Sequence, residues 1–257
     1  MLEARALVKQ FGGLRAVDQV TFSVGPSEVL GYLGPNGSGK TTTVNMLVGL
    51  VQPTRGQVCI DGQDIWQDIV AYRRRVGYVP EEPNLYPYLT GREYLQLVGR
   101  LRGLPEAALD KKITALLGLF SLEPDSHSPL SSYSKGMRQK VLITAALMHN
   151  PDLLVFDEPM SGLDAASAVV FRHLIKGLAR AGKMVLYSSH ELETVERVAD
   201  RVIVLHQGRM VAHDSVERLR ELMRLESLEQ IFSELVFTED PQAVAGDPAE
   251  TREGRLY

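Results

Sequence analysis

Gly34-Pro35-Asn36-Gly37-Ser38-Gly39-Lys40-Thr41 has the spacing G-x-x-x-x-G-K-[ST]. Glycines at these places let backbone N–H groups turn inward and surround phosphate oxygens. A helix starting just after the loop adds its N-terminal partial charge. Lys40 then reaches the β- and γ-phosphates of a nucleotide, the Thr41 hydroxyl binds Mg²⁺, and Thr42 falls within reach of the α-phosphate. The plain alternative is a Gly-rich turn with an exposed lysine. The context the motif requires is present, with the apolar run Val29–Leu33 before it and a helical stretch, Thr41–Leu50, after it.

A second candidate lies downstream. Leu153-Leu154-Val155-Phe156 ends in Asp157-Glu158-Pro159. A buried parallel strand delivers the residues after its carboxyl end into the ligand crevice. Asp157 there meets the Mg²⁺, directly or through water. Glu158 orients and deprotonates an attacking water. His190 follows another strand candidate, Met184–Ser188, and its imidazole is placed to contact a γ-phosphate. Taken alone, His190 reads as a structural histidine.

The elements that position these groups can be read from the apolar pattern. Leu2–Val8, Val17–Val24, Val58–Ile60, Val76–Val79 and Arg201–Leu205 read as further strands. From about Gly91 to Asn150 the chain reads as helices (Arg92–Arg102, Pro105–Phe120 and Lys135–His149), with breaks at Gly118 and Pro124 and no β-run. Ala165–Arg180 and Glu191–Ala199 read as helices among the later strands. Strands alternating with helices imply a mainly parallel sheet covered on both faces. Asp214 or Ser215 opens a last helical stretch with an apolar stripe at Val216, Leu219, Met223, Leu228, Ile231, Phe232 and Leu235. Ser227 and Gln230 have capping-box spacing. The end of the chain, rich in Pro, Gly, Ala and acids, is expected to be disordered.

Composition narrows the classes. The chain has 257 residues, is 44% hydrophobic and 23% charged, and carries a formal charge of −4. That acidity is local, because residues 215–257 hold ten acidic and five basic side chains. The body is close to neutral, so no nucleic-acid partner is expected. Cys59 is the only cysteine, which excludes an intrachain disulfide and fits a reducing compartment. The N-terminus lacks the apolar stretch of a signal peptide, and the conspicuous apolar run Val141–Met148 is too short to span a bilayer.

In order and spacing, the pieces resemble the nucleotide-binding subunit of ABC transporters over about residues 2–236. Ser131-Ser132-Tyr133-Ser134-Lys135-Gly136-Met137 resembles the family signature, with Lys135 and Met137 departing from its commonest letters. Ser161-Gly162-Leu163-Asp164 resembles the D-loop, and Ser188-Ser189-His190 the H-loop. The resemblance implies an α/β fold with a P-loop NTPase core, a mainly parallel sheet, an N-terminal antiparallel β region and an inserted α-helical subdomain. It implies a single cassette over 1–236, with core segments 1–90 and 151–214, a helical lobe 91–150 and a helical cap 215–236, followed by the tail 237–257. It also implies ATP and Mg²⁺ as cofactors and a head-to-tail dimer, most simply of two identical cassettes. Ser134 and Gly136 of one copy would face the ATP held by Lys40 of the other. Ser134 also reads as a plain N-cap. Phe11 stands where the family stacks an aromatic on adenine, and equally reads as core. Glu81 follows Gly77-Tyr78-Val79-Pro80, where a glutamine is usual, and becomes a metal-ligand candidate unless the register places Glu82 there.

The same resemblance implies a separate membrane permease, export as the direction, and a peripheral place on the cytoplasmic face of the cell membrane. Asn84–Leu89 offers apolar and aromatic docking surface for that permease, or ordinary hinge packing. Two other classes stay open: an ABC-type ATPase acting on nucleic acid or ribosomes, and a regulatory module that binds nucleotide without hydrolysis. Long coiled-coil insertions, zinc cysteines and tandem cassettes are features of the first and do not occur in this sequence.

Overall fold

The structure is a computed structural model that describes residues 1–190, 192–223, 227 and 230–233. Strands β1 (Leu2–Phe11) and β2 (Leu14–Val24) form a hairpin, turned at Gly12 with φ +55°. Helix α1 (Lys40–Leu47) follows strand β3 (Val29–Leu33). With β4 (Arg55–Ile60) and β5 (Gln63–Asp64), the hairpin makes a four-stranded antiparallel sheet in the order β2-β1-β4-β5. One face of that sheet is buried by Leu2, Leu7, Val20 and Phe22. These residues pack with Val44 and Leu47 of α1 and with Leu30 and Tyr32 of β3.

The second sheet has six strands. Its later members are β6 (Val76–Val79), β7 (Leu153–Asp157), β8 (Met184–Ser189), β9 (Arg201–His206) and β10 (Arg209–Ser215). The order is β10-β9-β3-β8-β7-β6, and every pairing is parallel except β9 with β10. Successive residues of β3 face different cores. Leu30 and Tyr32 face α1, while Val29 and Leu33 join Phe171 and Ile175 on the opposite side. A strand buried on both faces reads as an unbroken apolar run, which is why β3, β6 and β7 are recognisable from the sequence.

Between β6 and β7 lie α3 (Gly91–Leu101), α4 (Glu106–Leu119) and α5 (Lys135–Leu147). Thr90 and Glu93 close a reciprocal capping box at the start of α3. Gly118 lies inside α4 rather than at a break, and the chain turns at Ser121, with φ +54°. Helix α6 (Ala165–Arg180) ends at Gly182, whose N–H bonds the Ala179 carbonyl at 2.8 Å.

Two strands and one α-helix have no counterpart among the elements expected from sequence. Strand β5 has two residues, and α2 (Ile69–Arg74), capped by Asp68, has six. Both are too short to show a period. Strand β10 reads Arg-Met-Val-Ala-His-Asp-Ser, with only Met210, Val211 and Ala212 apolar and no residue fully buried, because it is a partly exposed edge strand. A two-residue turn with positive φ at Gln207 and Gly208 places it against β9. The remaining helices are α7 (Leu192–Val198) and α8 (Val216–Met223). Ser215, rather than Asp214, accepts from the Arg218 N–H at 3.1 Å and starts α8. Val216, Leu219 and Ile231 are buried on the core, and Phe232 packs against it. The Ser227 hydroxyl accepts from the Gln230 N–H at 3.3 Å. The Met223 side chain, Leu228, Leu235 and the stretch 237–257 lie outside the described residues.

Candidate functional site

Strand register assembles the site. Leu33 of β3 pairs with Ser189 of β8, Ser188 with Asp157 of β7, and Phe156 with Val79 of β6. Four parallel strands therefore end in one row. Gly34, His190, Glu158 and the Pro80-Glu81 pair follow directly from it. A cavity of about 560 Å³ opens there.

The loop 34–39 forms one wall. Gly39 has φ +100°, and a Cβ on it would strike the Ala16 carbonyl, so glycine is required on both counts. No side chain caps α1. Its first N–H groups are left for an anion. Asn36, Gly37, Gly39, Lys40, Thr41 and Thr42 line the cavity. Gly34, Pro35 and Ser38 shape it from behind. The Gly34 and Pro35 carbonyls accept from Lys40 Nζ at 2.5 and 3.1 Å, and the Ser38 N–H bonds the Pro35 carbonyl at 3.2 Å. Lys40 is only 7% exposed, and burial pulls its pKa down against the opposing field of Glu158, Asp157 and Glu81. An ammonium held there on two carbonyls fits a polyphosphate partner.

Asp157 and Glu158 face the same cavity. Asp157 is 1% exposed, and its Oδ2 has no hydrogen-bond partner. Burial first, then the neighbouring carboxylates of Glu158 and Glu81, push its pKa up to about 6. A buried carboxylate with an unpartnered oxygen, lining the same cavity as Thr41 and Glu81, makes a hard-oxygen set that fits Mg²⁺. Among the described residues no group of three His, Cys, Asp or Glu forms a metal cage. Mg²⁺ takes one or two carboxylates and completes its shell with phosphate oxygens and water.

Glu158 sits in the left-handed region at φ +47°. For a non-glycine residue that conformation costs about 1–3 kcal/mol. Its surroundings hold it there. The Glu158 N–H donates to the Ser188 carbonyl at 3.0 Å, Ser189 Oγ donates to Oε2 at 3.1 Å, and His190 Nδ1 lies 2.9 Å from Oε1. The His190 ring is largely exposed and lines the cavity. It is therefore not a buried structural histidine.

Phe11 is 51% exposed and lines the cavity, so its reading as core does not hold. Lys9 Nζ lies 5.0 Å from the ring centroid. Leu14 pairs with Phe11 across the hairpin and forms an apolar lip beside it. Leu14 is not legible from its own type; the Phe-Gly-Gly-Leu hairpin is the signal that places it. Glu81 lines the cavity and Glu82 does not.

Ser134 and Gly136 do not belong to this cavity. Ser134 is exposed and its hydroxyl accepts from the Met137 N–H at 3.1 Å, capping α5. Gly136 lies against the Gly162 carbonyl, with no room for a Cβ. Each chain thus carries a phosphate loop and a separate, outward-facing helix start.

The family model described as ABC transporter matches residues 17–161. The ABC transporter ATP-binding protein NatA of Bacillus subtilis is 39% identical, over 85% of this chain and 89% of its own. The Nod factor export ATP-binding protein I of Ralstonia nicotianae is 37% identical, over 85% of this chain and 68% of its own. A dimeric ATP-binding cassette, solved in a post-hydrolysis state with ADP and Pi, matches with a TM-score of 0.77 and 26% identity, covering 84% of this chain and 98% of that one. Motifs, sheet order and relatives agree: the chain belongs to the ABC transporter family and is an ATP-binding subunit of it.

Proposed function

We propose that this chain is an ATP-hydrolysing motor that closes on ATP as a pair of cassettes and drives a separate membrane permease, in the direction of export. The supporting observation is the shared cavity, which brings the phosphate loop, Asp157, Glu158, His190 and Glu81, at one row of strand ends, together with Phe11 of the β1–β2 hairpin. The dimeric relative supports the pairing, and the Nod factor relative supports export. No described helix is long and apolar enough to cross a membrane, which is consistent with a peripheral subunit working from the cytoplasmic face.

In this reading Phe11 offers a flat face to adenine, and the loop N–H groups and Lys40 grip the phosphates. Thr41, Asp157 and Glu81 hold Mg²⁺, which when bound neutralises phosphate charge. Glu158 orients a water for in-line attack on the γ-phosphorus and takes its proton as the bond to the β–γ bridging oxygen breaks. The His190 ring holds the Glu158 carboxylate and faces the γ-phosphate. Ser134 and the N–H groups at the start of α5 complete the ATP site of a second copy. Residues 1–236 act as one cassette, with 91–150 as its moving lobe.

The test compares ATP turnover of the wild type and Glu158→Gln. Loss of a general base lowers the rate on the order of 10²-fold or more, and the variant accumulates as an ATP-dependent dimer on size-exclusion chromatography with light scattering. Equally low rates in both proteins refute the catalytic assignment. In the same series, Glu81→Gln shifts the Mg²⁺ dependence of turnover; an unmoved curve removes Glu81 from the metal set.

A further inference from the structure

Lys135 is the first residue of α5, directly after Ser134. No acidic residue stands in the first turn of that helix. A cation there opposes the helix dipole, so the position needs a reason. Its Nζ donates to Ser161 Oγ at 2.7 Å, while its Cγ and Cδ run along Gly162. The close approach of Gly136 to the Gly162 carbonyl permits that reach. The Ser161 N–H in turn donates to the Glu158 carbonyl at 3.2 Å. Glu158 carries the carboxylate bonded by Ser189 and His190. At the far end of the loop, Lys140 Nζ lies 2.9 Å from Asp164, which caps α6. The loop 158–164 is therefore anchored at one end by the catalytic carboxylate and tied along its length to α5. The partner of Lys135 is a neutral hydroxyl, so the tie can be remade when α5 moves.

From this we propose that Lys135 is a positioning residue. It transmits the seating of ATP on Ser134 and Gly136, by a second copy, to the Glu158 that serves this chain's own ATP. The two sites then fire together rather than independently. The proposal rests on the paired-cassette reading above.

The test is the ATP dependence of hydrolysis by the full chain. Wild type shows a Hill coefficient near the number of coupled sites, about 2. Lys135→Met keeps much of the apolar stem and loses the ammonium; Ser161→Ala loses the acceptor. Each lowers the coefficient towards about 1, and the double variant falls no further than either single one. Lys135→Arg keeps a donor and stays near the wild-type value. A coefficient unchanged in Lys135→Met, or losses that add in the double variant, overturns the proposal. So does a wild type that dimerises yet hydrolyses without cooperativity. Light scattering in the Glu158→Gln background separates the two readings. Absence of an ATP-driven dimer there sinks the paired cassette and this proposal together, whereas a dimer with cooperativity indifferent to Lys135 sinks this proposal alone.

Discussion

Asp157 carries a cost in the nucleotide-free protein. Its burial and its neighbours raise its pKa to about 6, so its ionised form is disfavoured in the fold. The stability given by the protonated form is complete below the ordinary carboxylate range and is lost as pH rises through about 6. Asp157→Asn therefore stabilises the nucleotide-free protein at pH 7.5 by up to about 3 kcal/mol, and by about half of that at pH 5. Thermal unfolding at the two pH values checks this; a variant that melts lower at pH 7.5 contradicts it. The same substitution abolishes Mg²⁺-dependent turnover, so stability and activity move in opposite directions. At this scale the sequence is most legible where chemistry demands fixed letters at fixed spacing, as in Gly34–Thr41 and Asp157-Glu158. The left-handed backbone of Glu158, its bonds to Ser189 and His190, and the apolar lip at Leu14 are less visible, because each depends on a neighbour distant in the chain or on a local turn.

Among the elements, the start of α5 meets the loop 161–164 with no space to spare. Gly136→Ala drives a methyl group into the Gly162 carbonyl, which is backbone and cannot rotate away. The expected cost is about 1–3 kcal/mol, measured as a lower urea midpoint, together with a weaker ATP-driven dimer. An unchanged midpoint would show that the two segments part easily. Elements are readable from sequence in proportion to their burial. The boundaries of Val29–Leu33, Val76–Val79 and Ala165–Arg180 agree between sequence and structure because both faces or one full stripe are apolar. Strand β10 escapes because a tight turn, not its own pattern, recruits it to the sheet.

At the scale of the whole molecule, two hydrophobic cores flank the six-stranded sheet, and the cavity lined by the phosphate loop opens at one end of it. A ligand that binds only the folded chain stabilises it by about 2.7 kcal/mol at a hundred times its Kd. MgATP is thus expected to raise the melting temperature of Glu158→Gln, and to leave Lys40→Ala unmoved at the same concentration. Differential scanning calorimetry decides it, and equal shifts would remove Lys40 from the binding set. The acidity of residues 215–257 lies away from this cavity in sequence, and the neutral body carries every nucleotide motif.

The position of β3 has a further consequence during synthesis. Both of its neighbours come from the far end of the chain, β8 from Met184 and β9 from Arg201. On the ribosome the phosphate loop emerges early, yet the strand that carries it stays unpaired on both sides until those residues leave the exit tunnel. Until then it is an open apolar edge that chaperones and proteases can recognise. The row of strand ends that carries the phosphate loop is therefore completed only when β8 and β9 reach β3, a pairing of high sequence separation that forms late.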